Sequence, residues 1–235
     1  MRMIEANLQK LWPTQIMVDH LNELDEYNDE LANIARDYSD SKMVRYESGF
    51  KHAVPNNLLL QYDSNALTRY FEIMQEYFWH YLQATCGLTT TDITKPVCHM
   101  FGNVERRGQW SIPHAHNGNQ VVMTYYPKVI RDPEEPHPFA GHMIFHNPRN
   151  PASGFWARRE VLFTPITTRS GTFVIFPAHA EHSTFPFFNE GSEKYALVCN
   201  IRFAGILEGE HASLQYQSFQ SICEHRGMGH VIKSL

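Results

Sequence analysis

Gly171-Thr-Phe-Val-Ile-Phe-Pro-Ala-His-Ala-Glu-His-Ser-Thr-Phe-Pro186 reads as two short strands with a turn between them. Aromatic and β-branched residues fill positions 172 to 176, and prolines at 177 and 186 punctuate the run before any helical period is established. The same texture extends from about Val97 to Phe203, in short segments rich in Val, Ile, Phe and Tyr separated by Gly, Pro and Asn. Strands are expected at 97 to 105, 109 to 116, 120 to 127, 141 to 146, 159 to 164, 172 to 176, 181 to 186 and 194 to 203. Eight short strands of this kind predict a mainly β protein built as a double-stranded jelly roll.

Two helices are expected ahead of it. Between Asn22 and Tyr38, the residues Leu24, Tyr27, Leu31, Ile34 and Tyr38 recur at steps of three and four among acidic residues, the period of an amphipathic helix. The second is better marked. Asp63 or Ser64 can cap it, Leu67, Phe71, Met74, Phe78 and Leu82 form its stripe, and Gly87 stops it. A face that aromatic needs a large partner, so the helices are expected to pack on one sheet. The proline-rich segments Arg131 to Pro138 and Asn147 to Pro151 cannot continue a central ladder and are expected at the mouth or rim. A short terminal helix is expected around Leu214 to Cys223. The chain is read as a single domain over 1–235, with a helical part at 1–95, a jelly-roll core at 96–203 and a C-terminal extension at 204–235.

Composition narrows the function. A net charge of -5 and the lack of any Lys/Arg block leave no electrostatic footprint for nucleic acid or an anionic membrane surface. The four cysteines, Cys86, Cys98, Cys199 and Cys223, fall into no CxxC spacing, which argues against a zinc knuckle or a disulfide framework and for reduced thiols. No apolar run suits a signal peptide or a membrane span, so a cytoplasmic location is expected.

The residues that suggest chemistry are histidines. Eight of the 14 lie in the β-rich stretch, and His114 and His116 stand in Trp110-Ser-Ile-Pro-His-Ala-His-Asn-Gly118. Alternate residues of a strand share a face, so this pair could grip one metal ion, with His182 as a third ligand from a later strand. A histidine on a half-buried strand is more often a packing residue, but three from separated segments can form a facial site with open positions. A closed structural zinc site would call for cysteine, and none is near in sequence. His179, at odd spacing from His182, and Glu181 beside it should both point away from the site. The sequence leaves open whether His142 and His146, which share a face, point inward.

At this level the order of segments becomes specific. Leu11-Trp-Pro-Thr-Gln-Ile16, Trp110, the His114-Ala-His116-Asn-Gly turn, Met123-Thr-Tyr-Tyr126, Gly141-His-Met-Ile-Phe-His-Asn-Pro-Arg149, Gly171 to Pro177, His182 with Pro186, and Lys194-Tyr-Ala-Leu-Val-Cys-Asn200 follow one another. That order resembles a family of 2-oxoglutarate/Fe(II)-dependent oxygenases, small bacterial and phage proteins with a double-stranded β-helix, cupin-like core and an HxH motif. The resemblance spans most of residues 8 to 203. It implies iron ligands at His114 and His182, with His116 where the wider superfamily has the carboxylate of HxD/E. A neutral imidazole there leaves the metal more positive than the usual two-histidine, one-carboxylate triad does. The nearby carboxylates that could intervene are Asp132, Glu134, Glu135 and Glu181. The resemblance also implies a basic residue about a dozen positions after the last histidine, for the distal carboxylate of 2-oxoglutarate. Lys194 stands there, offering a point charge where the family has the bidentate fork of arginine. Arg202 shares its strand parity and is the alternative, with Tyr126 and Asn200 as further hydrogen-bonding candidates.

The function expected is therefore an Fe(II)/2-oxoglutarate-dependent dioxygenase, with iron at His114, His116 and His182 and O2 and 2-oxoglutarate as cosubstrates. It would hydroxylate a small molecule or a peptide side chain. The rivals are a three-histidine cupin-type metalloenzyme that needs no 2-oxoglutarate, and a non-catalytic jelly-roll binding module. Arg149 could meet an anionic substrate. Tyr125, Phe139, Phe155, Trp156, Phe185, Phe187 and Phe188 are read as aromatic density near the mouth, fitting an apolar substrate, a peptide or a homodimer contact.

Overall fold

The second helix shows how the sequence builds the architecture. In the computed structural model, which describes residues 14–45, 51–53, 57–89, 96–148, 162–203 and 216–228, the Ser64 hydroxyl accepts the Leu67 N–H at 3.1 Å. Gly87 closes the helix in the left-handed region at φ 68°. Between them, α3 (Asn65–Cys86) buries Leu67, Tyr70, Phe71, Met74, Phe78 and Leu82. Each such side chain stabilises the fold by about 1.5–3 kcal/mol relative to exposure. The partner is a sheet. Tyr70 stacks on Tyr125 with centroids 5.2 Å apart and meets Phe173 edge-on at 6.4 Å.

Before it come β1 (Met17–His20), a 3-10 turn at Asn22–Tyr27, α1 (Asn28–Lys42), the β2 (Met43–Arg45) and β3 (Lys51–Ala53) hairpin, and α2 (Leu58–Gln61). After it come β4 (Pro96–Arg106), β5 (Val121–Ile130), β6 (Met143–His146), β7 (Phe163–Ile166), β8 (Thr172–Pro177), β9 (His182–Thr184) and β10 (Glu193–Phe203). Two short elements, β11 (Gln217–Ser218) and α4 (Phe219–His225), complete the described chain. Six strands form an antiparallel major sheet in the order β1-β8-β5-β10-β4-β11, and β7-β6-β9 form a smaller one. The fold is a double-stranded β-helix with helices packed on one sheet. Along β5, Met123 and Tyr125 face the helices while Val122 and Tyr126 face the smaller sheet, so strand alternation gives the major sheet two buried faces. α1 lies close on β4, where a Cβ at Gly102 would come within 2.7 Å of Ala35 Cα.

Most expected strands appear with shifted ends; one differs in kind. The segment 109 to 116 is not a continuous strand. It forms one isolated bridge to the small sheet, His114 with His182, because Pro113 lacks an N–H and bends the chain. The strand expected at 181 to 186 stops at Thr184, two residues before Pro186. Of 159 to 164, residues 159 to 161 lie outside the described residues, and β7 runs on to Ile166. The first helix begins as a 3-10 turn, and the terminal helix starts at Phe219, several residues later than expected. The loop at 131 to 138 packs on the turn at 188 to 192, where Glu135 accepts from Ser192 Oγ at 2.6 Å and from two backbone N–H groups. Residues 149 to 151 of the other proline-rich segment, including Arg149, lie outside the described residues. No helix among the described residues is long and apolar enough to cross a membrane.

Candidate metal centre

His182 opens β9, and the chain from Ser111 to His116 is laid beside it. His114 and His182 exchange both backbone hydrogen bonds at 2.9 Å, and Thr184 N–H donates to Ser111 O at 3.0 Å. His116 N–H donates to Ala178 O at 2.9 Å, so the turn after β8 fixes the second histidine of the HxH run. Gly118 follows at φ 81°, a conformation that costs glycine nothing and lets the loop turn back toward β5.

These backbones bring the three rings together, with ligand atoms within 4.8 Å of one another. Every Nδ1 is engaged: His114 with Ile112 O at 2.6 Å, His116 with Asn200 Oδ1 at 2.6 Å, and His182 with Ala180 O at 2.9 Å. Oxygen acceptors at Nδ1 put the proton there, which leaves Nε2 as a bare lone pair on each ring. The Nε2 atoms of His116 and His182 then face each other at 3.3 Å with no proton between them. Two lone pairs at that distance suit a shared cation. Burial, reinforced by the neighbouring His114 and partly opposed by the Asn200 hydrogen bond, pushes His116 down to about 4. Burial, with His114 and His116 beside it, lowers His182 further. Both rings are therefore neutral near pH 7, the form a metal ion requires. The donor set fits Fe(II), for which imidazole is a suitable ligand.

The rings stand at one end of a cavity of about 410 Å³ between the sheets, a volume ordinary for a small-ligand site. Lys194 stands at the other end, its side chain 2% exposed. It makes an ion pair of 2.9 Å with Glu105, its register partner on β4, and donates to Gly141 O at 2.8 Å. Its cation lies 5.5 Å from the ring centre of Tyr126. The other Glu105 oxygen accepts from Ser111 Oγ and Thr184 Oγ1, both at 2.9 Å. Burial alone would raise the Glu105 carboxyl, but the Lys194 charge and the hydrogen bonds from Lys194, Ser111 and Thr184 outweigh it and hold it below the usual carboxylate range. Gly141 sits at φ 75°, and a Cβ there would strike the Phe187 ring at 2.3 Å, so the carbonyl that receives Lys194 depends on glycine.

Tyr126 and Asn200 line the cavity, but Asn200 is committed to His116. Arg202 is not beside Lys194: its guanidinium stacks 3.9 Å over Tyr216 and it donates to Asn119. His179 and Glu181 are exposed, the former in a turn. Met143 faces the cavity, so His142 and His146 do not, and His146 pairs with Ser183 Oγ at 2.9 Å. Among the described residues the cluster contains no carboxylate. Tyr125 and Phe187 are fully buried core residues, not mouth residues, whereas Phe139, Phe185 and Phe188 gather around His137. Phe155 and Trp156 lie outside the described residues. Sequence reading missed Glu105, Ser111 and Thr184. The available signal was the one acid of β4, at the parity it shares with Phe101 and Asn103.

No protein-family profile matches the chain, and no curated protein is similar to it in sequence. Solved structures share its fold. The prolyl-4-hydroxylase of Pseudomonas putida is 14% identical, over 83% of this chain and 89% of that one, with a TM-score of 0.53. A prolyl hydroxylase from Trichoplax adhaerens, solved with a peptide fragment of the hypoxia inducible factor oxygen degradation domain, is 10% identical over 91% and 86%, at 0.51. HygX of Streptomyces hygroscopicus, solved with nickel and 2-oxoglutarate bound, is 13% identical over 89% and 95%, also at 0.51.

Proposed function

We propose that the chain is an Fe(II)-dependent oxygenase that takes 2-oxoglutarate and O2 and hydroxylates a small molecule or a peptide side chain. The observation that carries the reading is the set of three imidazoles, each with Nδ1 tied to an oxygen and with ligand nitrogens within 4.8 Å of one another. Iron with 2-oxoglutarate, when bound, supplies the oxidising chemistry by coupling O2 reduction to loss of CO2 and formation of succinate. The chain's part is to hold and orient. His114, His116 and His182 would ligate the metal on one side. Lys194 would orient the distal carboxylate, since an ammonium has three donors and Gly141 O and Glu105 engage two of them. Tyr126 packs beside that lysine, and the apolar walls at Met143 and Val198 limit water. A peptide substrate is supported by the fold shared with the Trichoplax hydroxylase and its peptide.

The test is anaerobic loading with Fe(II), metal analysis, and then succinate release on adding 2-oxoglutarate and O2. Stoichiometric iron with succinate supports the reading; no iron uptake refutes it. One observation favours a second reading, a three-histidine metalloenzyme without 2-oxoglutarate: Lys194 already has a carboxylate partner within the chain. Bound iron without succinate would select it.

A further inference from the structure

The lysine end of the cavity is assembled as a carboxylate receptor. An ammonium on β10, a hydroxyl from Ser111 and a hydroxyl from Thr184 on β9 converge on one carboxylate, and that carboxylate is Glu105 of the same chain. Both ionised groups are almost fully buried, and both line the cavity that ends at the histidines. Resting on the 2-oxoglutarate reading above, we propose that Glu105 is the residue that sets cosubstrate affinity, because it competes with the distal carboxylate of the ligand for Lys194 and repels it.

The ionic arithmetic gives the direction. An unpaired buried lysine rewards a ligand carboxylate, as the bidentate or point-charge sites of anion receptors do. A lysine already paired offers a site of net charge near zero, and a second carboxylate arriving there meets Glu105 as a like charge. At about 5 Å and an effective dielectric constant near 20, removing that repulsion strengthens binding on the order of 100-fold. Two of the three groups that hold Glu105, Ser111 and Thr184, are two or three residues from the metal-centre histidines in sequence, so the competitor is fixed by the same segments that build the metal centre.

The experiment uses the full chain loaded with Fe(II) without oxygen and follows chelate formation by visible absorption and calorimetry. Two probes are compared, 2-oxoglutarate and its distal methyl ester, which keeps the keto acid that chelates the metal but carries no distal charge. The wild type is expected to distinguish them less than tenfold. Glu105→Gln is expected to bind 2-oxoglutarate on the order of 100-fold tighter than the wild type and to prefer it over the methyl ester by a similar factor. Glu105→Gln binding 2-oxoglutarate no more tightly than the wild type overturns the proposal. The wild-type comparison keeps the question answerable if the variant does not fold: a preference near 100-fold for the dicarboxylate, as an unpaired lysine would give, also overturns it. A protein that holds iron but chelates neither keto acid refutes the cosubstrate reading itself, a result separate from either of these.

Discussion

At one end of the cavity three imidazoles direct their outer nitrogens to fixed oxygen acceptors and present bare inner nitrogens to one another. At the other end Lys194 and Glu105 satisfy each other, with Ser111, Thr184 and Gly141 completing the set. The first arrangement sets the Nε2 lone pairs of His116 and His182 against each other at 3.3 Å, an opposition that a shared cation relieves. The second is electrostatically complete, and its stability depends on both members being present. The same sheets therefore present a site that needs a ligand beside one that has its partner built in. Changes at the two ends should fail in different ways.

The largest effect is expected at the histidine end. His182→Ala removes one of the three proposed ligands, and because losing only an outer hydrogen-bond partner typically costs 10–100-fold in metal affinity, losing the ligand should exceed about 100-fold. Metal analysis after gel filtration should find no stoichiometric iron, with far-ultraviolet dichroism unchanged. Iron retained at wild-type level would break the comparison.

At the lysine end the expected loss is of stability. Lys194→Ala leaves the Glu105 carboxylate buried and unpaired, which should cost about 3–5 kcal/mol and lower the melting temperature by roughly 10 °C. The double replacement Lys194→Met with Glu105→Leu removes both charges and should recover most of that loss, because an apolar pair of similar volume substitutes well for a buried ion pair. Urea melts of the three proteins measure it. A Lys194→Ala protein as stable as the wild type would mean that water screens the pair.

How far the sequence reveals each end follows from the same contrast. The convergence of His114, His116 and His182 was legible because two of the residues are neighbours and the third stands on a well-marked strand. Even so, it is not strand alternation that aligns them: Pro113 breaks the strand, and the pairing of His114 with His182 together with the bond from His116 to Ala178 does the work. The jelly roll and the α3 stripe were legible from periodicity and caps. The partner of Lys194 was not, because Glu105 meets it only through the register of β4 against β10, a pairing of residues 89 positions apart that no local pattern encodes. β1 was missed for a similar reason, since Met-Val-Asp-His is short, only half-buried at its ends and ordered by pairing with β8.

A smaller effect sharpens the histidine end. Asn200 Oδ1 fixes the tautomer of His116 from β10 without itself presenting a ligand atom to the common point. Asn200→Ala should weaken metal binding by about 10–100-fold while leaving the fold intact. Asn200→Asp should keep or strengthen it, because a carboxylate accepts the same Nδ1–H and raises the basicity of the ring. Anaerobic competition with a chelator of known affinity ranks the three proteins. Equal affinities would show that the ring needs no outer partner.

The smallest expected effect is a pH dependence at the lysine end. His142 is buried beside Arg131, whose Nη1 donates to its Nε2 at 3.2 Å. Burial first, then the charges of Arg131 and Lys194, push the imidazole down to about 4, whereas an unfolded histidine titrates near 6.5. Between those values the unfolded chain binds a proton that the folded chain refuses, so stability is complete above about 6.5 and is lost as pH falls toward about 4. His142→Gln has no such proton to bind in either state and should flatten that slope, while the metal-loaded histidine end is the same in both proteins. Urea melts at pH 5, 6, 7 and 8 on iron-loaded wild type and variant compare the slopes directly. If both proteins lose the same stability on acidification, the proton is taken up elsewhere, and the cationic surroundings of His142 do not set its titration.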